Sequence, residues 1–221
     1  MNNFDLYQLL NLIVNKDIYA NAISGQEFGL QLKAKNILLF TSKLPSDKSI
    51  NTQQMGVGVT RMSQHDLSPF LIEDNYTIAS DGLVSVPGLY YLENYYSVSV
   101  AHGSSEIISL GEIATRIKSY IKPPTAIDLV GYVVDGGLKL LNVVSGNIHA
   151  IGYRLPTEPV FVLSTDEDTL MVSYDEDAST ELEWSDGCKL DILHLILQDM
   201  GVTIERQEVT QLANKLIVTG K

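Results

Sequence analysis

Turn signals cut the middle of this 221-residue chain into pieces too short for helices. Asp-Gly falls at 81–82, Pro-Gly at 87–88, His-Gly-Ser-Ser at 102–105 and Asp-Gly-Gly at 135–137. Glycine and proline in these pairs suit the special backbone angles of tight turns. Between and beyond them run short stretches rich in Tyr, Val, Thr and Ile: YTIAS (76–80), LVSV (83–86), YSVSV (96–100), LKLLNVV (138–144), NIHAIGYRL (147–155), PVFVLS (159–164), TLMVSY (169–174) and TELEW (180–184). Many short strands joined by tight turns predict an antiparallel β-sandwich or a partial barrel. Only residues 110–120 break the pattern. There Leu110, Ile113, Ile117 and Tyr120 recur at helical spacing, and Pro123 and Pro124 stop the helix.

The two ends read differently. Leu6, Leu9, Leu10, Ile13 and Val14 form a helical stripe that NKD at 15–17 interrupts. Ser24 and Glu27 then have the spacing of a capping box, with Ile23 and Phe28 placed as a hydrophobic staple. The second helix carries Phe28, Leu32, Ile37, Leu38 and Phe40, and Pro45 ends it because the residue before proline disfavours helix. Near the C-terminus, Leu190, Leu193, Ile196, Leu197 and Met200 make a stripe that Ile192 and Leu195 widen, so this helix is expected to be largely buried. Gly201 fits its C-terminal cap, and a last helix is expected after Thr203, carrying Ile204, Val209, Leu212, Ala213 and Leu216. The fold class is therefore α+β. An N-terminal helical hairpin spans 1–44, a β-rich body 45–184 and a C-terminal helical pair 185–221, expected to form one compact unit.

Charge excludes one class of partner. The net charge is −12, with +1 over residues 1–60 and −13 over the rest. An acidic body opposes nucleic-acid affinity, which needs clustered Lys and Arg. The single cysteine, Cys188, permits no intrachain disulfide. The start, MNNFDLYQLL, lacks the basic and apolar regions of a signal peptide, and no run is long enough to span a bilayer.

Residues able to do chemistry are present but not arranged for it. His65, His102, His149 and His194 show no metal-ligand spacing with one another or with Cys188, and His194, among apolar residues, reads as structural. MGVGVTR (55–61) lacks a phosphate-loop pattern, and AHGSSE (101–106) lacks a nucleophile elbow and reads as a turn. Residues 164–187 hold nine carboxylates and no Lys or Arg: Asp166, Glu167, Asp168, Asp175, Glu176, Asp177, Glu181, Glu183 and Asp186. The two Asp-Glu-Asp clusters flank one strand and so fall roughly 20 Å apart, too far to share a calcium ion. They read as solvated turn acids. Trp184 reads as a core or interface anchor. No catalytic, cofactor or metal residue is assigned, and no enzyme activity is expected.

Four segments, in order, resemble a family of virion structural proteins from crAss-like phages, the short-tailed phages of Bacteroidetes. Residues 6–40 resemble its N-terminal signature: a helix, Asn-Lys, a loop, S-x-x-x-F and a second helix holding an Asn, here Asn36. RIKSYIKPPT (116–125) resembles a middle element ending in Pro-Pro-Thr, although AIDLVGY follows where another proline is the family pattern. YRLPTEP (153–159) resembles a strand with x-Pro-x-x-Pro, and STELEW (179–184) followed by DILHLILQDMGV (191–202) resembles the closing acidic–Trp strand and helix. The resemblance implies a ring or collar protein of the head-to-tail connector at the portal–tail junction. Such a protein is a cyclic homo-oligomer, twelve copies by family resemblance, stacked with other ring or portal proteins. DNA passes through without specific binding, no membrane is involved, and the place is the virion, assembled in the host cytoplasm.

Two other classes compete. A β-sandwich carbohydrate-binding or adhesin-type module would present a platform drawn from Tyr90, Tyr91, Tyr95 and Tyr96, although YYLENYY (90–96) reads more simply as two strand ends lining a sandwich face. A hydrolase would use the acidic cluster. The ring reading gives the capped hairpin a docking role. Ser24→Ala is then expected to cost about 0.5–2 kcal/mol of local stability, read as faster amide exchange at Glu27 and Phe28. Ring assembly that survives with the hairpin frayed ends the docking role.

Overall fold

The structure is a computed structural model, and it describes residues 1–14, 23–44, 64–99, 104–143, 145–165 and 172–200. The chain is α+β, with helices on both sides of a strand-rich centre, and among the described residues the strands form no closed barrel. Its contacts define two compact units: Met1–Pro69 with Pro156–Lys221, and Phe70–Leu155. These limits cut across the three zones drawn from sequence, because residues 156–184 group with the helical ends. The expected last helix after Thr203 and the Gly201 cap lie outside the described residues.

In the first unit, α1 (Asn3–Val14) and α2 (Gly25–Lys43) precede α4 (Asp186–Asp199). The expected capping box is present: Glu27 N–H donates to Ser24 Oγ at 3.2 Å, and Ser24 N–H donates to Glu27 Oε2 at 3.0 Å. Those bonds from Ser24 hold the Glu27 carboxyl below its usual range. Ile23 and Phe28 of the staple are both buried. Leu44 ends α2 in an extended conformation before Pro45, as the proline rule predicts. α1 and α2 pack mainly on α4 rather than on each other. The N-terminal pair is thus part of a three-helix arrangement, because α4 buries Ile192, Leu193, Ile196 and Leu197 and needs apolar partners.

Polar side chains fix the helices of this unit to extended segments. Asn36 of α2 is 2% exposed. Its Oδ1 accepts the Trp184 indole N–H at 2.6 Å, and its Nδ2 donates to the Thr157 carbonyl at 3.2 Å. Thr157 N–H donates to a Glu183 carboxylate oxygen at 2.8 Å. At the other end, buried Asn3 donates its amide N–H to Glu181 and its Nδ2 to the Thr180 carbonyl. Segment 180–184 makes only one isolated bridge, Val160 with Thr180, so the expected strand TELEW is an extended segment held by side chains. The end of PVFVLS enters β8 (Leu163–Thr165), which pairs with β9 (Val172–Tyr174) in a two-stranded ladder; residues 169–171 of TLMVSY lie outside the described residues.

The second unit is a small sandwich. β1 (Leu71–Thr77), β7 (Asn147–Arg154) and β3 (Leu89–Ser97) form one antiparallel sheet in the order β1-β7-β3. β2 (Leu83–Ser85), β6 (Gly137–Leu140), β5 (Asp128–Val134) and β4 (Ser104–Ile107) form the other, in the order β2-β6-β5-β4. Leu92, Tyr95, Ile148 and Ala150 of the first sheet meet Val84, Leu129, Leu138 and Leu140 of the second in one core. The predicted turns hold: Gly82, Gly88 and Gly136 all have positive φ. At Gly82 a Cβ would stand 2.8 Å from the Leu140 and Val143 carbonyl oxygens, so the turn needs glycine.

Three expectations are corrected here. The second sheet is mixed, since β4 pairs parallel with β5. Ser104 and Ser105, read as turn residues, are strand. YYLENYY is one continuous strand with two register shifts rather than two strand ends.

Trp184→Phe leaves Asn36 Oδ1 buried without its donor. It is expected to cost about 1–3 kcal/mol in urea unfolding. Adding Asn36→Leu to that variant should recover part of the loss in a double-mutant cycle, and purely additive losses would show that the pair is not coupled.

Candidate interaction surface

Parallel neighbours cannot be joined by a tight hairpin; they need a crossover. Residues 108–127 are that crossover, between β4 and β5. Its root is packed: Ile108, Val130 and Leu141 form a small buried cluster, with Ile113 and Tyr132 against it. Its tip is bare. Tyr120 and Ile121 are 102% and 97% exposed, and Leu110 and Ile117 also face solvent. The helix expected over 110–120 contracts to a 3-10 turn, Leu110–Glu112, and the single turn of α3 (Ile113–Ile117). Of its expected apolar face, only Ile113 is turned inward.

The exposed tip is held firmly by hydrogen bonds. Glu112 accepts from the Ser109 amide at 3.0 Å and from the Ser109 hydroxyl at 2.9 Å. The Ser109 bonds hold the Glu112 carboxyl below its usual range. Arg116 bridges the base and the tip: Nη2 pairs with Glu106 of β4, and Nη1 donates to the Lys122 carbonyl at 2.7 Å. Thr125 Oγ1 accepts the Asp128 amide at 2.9 Å, and Pro123 and Pro124 fix two φ angles. The seven residues 116–122 hold Arg116, Lys118 and Lys122 and no acid. Among the described residues, neither Lys118 nor Lys122 makes an ion pair. The arm therefore presents a preorganised apolar knob flanked by cations, a form suited to protein contact because little ordering entropy remains to be lost.

A second apolar surface lies in the first unit. The inner face of α2 buries Phe28, Leu32, Leu39 and Phe40. Its outer face carries Leu30, Ala34, Ile37 and Leu38, spaced one and two turns apart and exposed. Ile37 and Leu38, read from sequence in one stripe with Phe28, Leu32 and Phe40, thus belong to this outer row. Among the described residues, no helix is long and apolar enough to cross a membrane.

The sequence-nominated side chains fall apart spatially. Tyr95 is fully buried and donates its hydroxyl to the Glu106 carbonyl at 2.7 Å, and burial raises its pKa. It therefore leaves the proposed tyrosine platform. Tyr96 is exposed and its ring lies tilted against His149, whose ring nitrogens meet Asn75 at 2.9 Å and Glu73 at 3.2 Å. His65 sits 3.9 Å from Asp66, and His194 lies on α4 with Nδ1 buried. His102 and residues 55–61 lie outside the described residues. Burial pushes the Cys188 thiol up, which makes it a poor nucleophile.

The acidic stretch is corrected in part. Asp166, Glu167 and Asp168 lie outside the described residues. Several of the others are structural acceptors. Asp175 accepts the Ala178 amide, and Glu181 accepts from Asn3 and from the Tyr174 hydroxyl. Glu183 accepts from Thr157, and Asp186 meets the chain's amino terminus at 3.2 Å. Burial, then the Glu181 bond, pushes the Tyr174 hydroxyl up to about 12. Trp184 is a core anchor, 3% exposed. Among the described residues, no group of three or more His, Cys, Asp or Glu is placed to hold a metal ion.

No protein-family model matches the chain, and no curated protein matches it.

Arg116 generates a direct test of the arm's rigidity. Arg116→Ala should raise amide exchange over 117–122 roughly tenfold and speed tryptic cleavage after Lys118, with the sandwich transition unchanged. Unaltered exchange would show that the prolines and Thr125 suffice to hold the arm.

Proposed function

We propose that the chain is a non-enzymatic structural protein of a phage virion. It forms a ring in the head-to-tail connector or collar that retains and channels genomic DNA. One observation carries the reading. Three of the separate segments that resemble the phage family meet at one buried place: Asn36 from the first, Thr157 from YRLPTEP and Trp184 from STELEW. The fourth, RIKSYIKPPT, builds the rigid apolar arm. Segments that resemble a family in order, three of them converging on one framework, support a shared architecture rather than chance similarity of short strings.

The ring is a cyclic homo-oligomer, twelve copies by resemblance, seated on portal or other ring proteins in the virion and assembled in the host cytoplasm. Its subunits join by heterologous, closing contacts. The net charge of −12 suits a channel wall that DNA passes without sticking. Outward-facing acids in an assembled ring would exclude that wall role.

Native mass spectrometry of the purified chain mixed with a portal ring tests the function. The expected product is a closed complex holding several copies of the chain. A chain that stays monomeric in the presence of portal and ring partners overturns the reading.

A further inference from the structure

We propose that the arm of one copy docks on the outer face of α2 in a neighbouring copy. Tyr120 and Ile121 cover Leu30, Ala34, Ile37 and Leu38. The contact rests on the ring reading and names the surfaces that would close the ring.

Three observations select a second copy of this chain as the occupant. First, each copy carries both halves of the contact. The arm belongs to the unit Phe70–Leu155, and α2 belongs to the other unit. Two different patches that satisfy each other give a head-to-tail contact, the kind that generates rings, whereas a self-paired patch stops at a dimer. Second, the shapes are complementary in kind. The arm ends in two adjacent, fully exposed apolar side chains on a hydrogen-bonded loop. The outer row of α2 repeats at one- and two-turn spacing, as anchors do when a helix is bound on its apolar face. Third, the charges favour self-association of this polarity. Residues 116–122 carry +3, so the −12 chain is −15 everywhere else. Glu27 lies at the N-terminal end of the α2 row, and Glu158 sits beside it in a 2.7 Å pair with Lys33. α2 itself carries three lysines to one glutamate, but each lysine is paired: Lys33 with Glu158, Lys35 with Asp199 and Lys43 with Asp66. Lys118 and Lys122 thus meet a row whose Glu27 has no ion-pair partner among the described residues, and that charge orients docking.

The energetics place the weight on the apolar centre. An exposed tyrosine beside an isoleucine is the anchor type that dominates protein contacts when desolvated, while rim charges mainly tune rate and orientation. Because Ser109–Glu112, Arg116 and the two prolines hold the arm's shape, docking spends little on ordering it.

A paired-cysteine experiment tests the contact. Tyr120→Cys and Leu38→Cys are placed together in a Cys188→Ala background, rings are assembled on portal, and a short bismaleimide is added. A ladder of covalently joined copies is expected from the double variant and none from either single variant. Separately, Tyr120→Glu should weaken ring formation roughly tenfold or more while leaving the thermal midpoint unchanged. Rings that assemble from the double variant but give no ladder overturn the docking and leave the ring function standing. Covalent dimers from Tyr120→Cys alone would show arm-to-arm pairing and also overturn it. Arms joined to portal instead of to a neighbour would do the same. Wild-type chain that forms no ring on portal would overturn both the docking and the function.

Discussion

The first unit depends on one buried amide. Asn36 lies on α2, 121 residues before the carbonyl it donates to at Thr157 and 148 before the indole N–H it accepts from at Trp184. A buried amide left without partners costs more than the bonds contribute when made, so the network permits one arrangement of these segments rather than merely favouring it. Among the described residues of 156–184 ladder pairing is sparse: β8 pairs with β9, and segment 180–184 makes a single bridge. Side chains supply the order that a sheet supplies elsewhere. Asn36 fixes one end of that segment through Trp184, and Asn3 fixes the other through Glu181 and Thr180. Between them Phe161 stacks on Tyr174, meets Phe28 edge-on and lies tilted against Tyr7, at centroid distances of 4.9 to 5.5 Å.

The second unit answers to a different constraint. A parallel pair at the sheet edge obliges the chain to make a long connection, and length is what allows an arm to exist there. The root of that connection covers Val130 and Leu141, which an edge of the sandwich would otherwise leave wet. The remaining residues, freed from that task, carry Tyr120 and Ile121 outward on a loop closed by Arg116 and Thr125. A connection that began as a topological necessity thus becomes a surface with its own chemistry: apolar at the tip, cationic at the flanks, on a chain that is acidic elsewhere.

Local rules read well from the sequence wherever backbone physics acts alone. The Ser24–Glu27 box, the stop before Pro45, and the turns at Gly82, Gly88 and Gly136 all stand where residue type placed them. Each follows from residue type and near neighbours, with Gly82 pressed in addition from far along the chain by the Leu140 and Val143 carbonyls. The misreadings share the opposite cause. Leu110, Ile117 and Tyr120 have the spacing of a packed helix face, but periodicity does not say whether anything lies opposite. Ile37 and Leu38 sit beside a truly buried row on the same helix, and apolar character could not divide the two faces. The parallel β4–β5 pair is hidden in the sequence because short strands with turn signals read by default as hairpins, and no strict alternation marks residues 104–107 or 128–134. The arm was still signalled, in retrospect, by RIKSYIKPP: apolar residues interleaved with cations, no acid, and a double proline that fixes a loop.

The sequence by itself determined the α+β class, the helix caps and stops, the turn positions and the buried character of the last described helix, because these follow from short-range sterics and hydrogen bonds. Only tertiary structure decided that the carboxylates of Glu181 and Glu183 and the Tyr95 hydroxyl are internal partners rather than surface groups, since their partners lie far away in the chain. It also decided which apolar residues stay outside. Burial is a property of what packs opposite a side chain, and no local pattern carries that information.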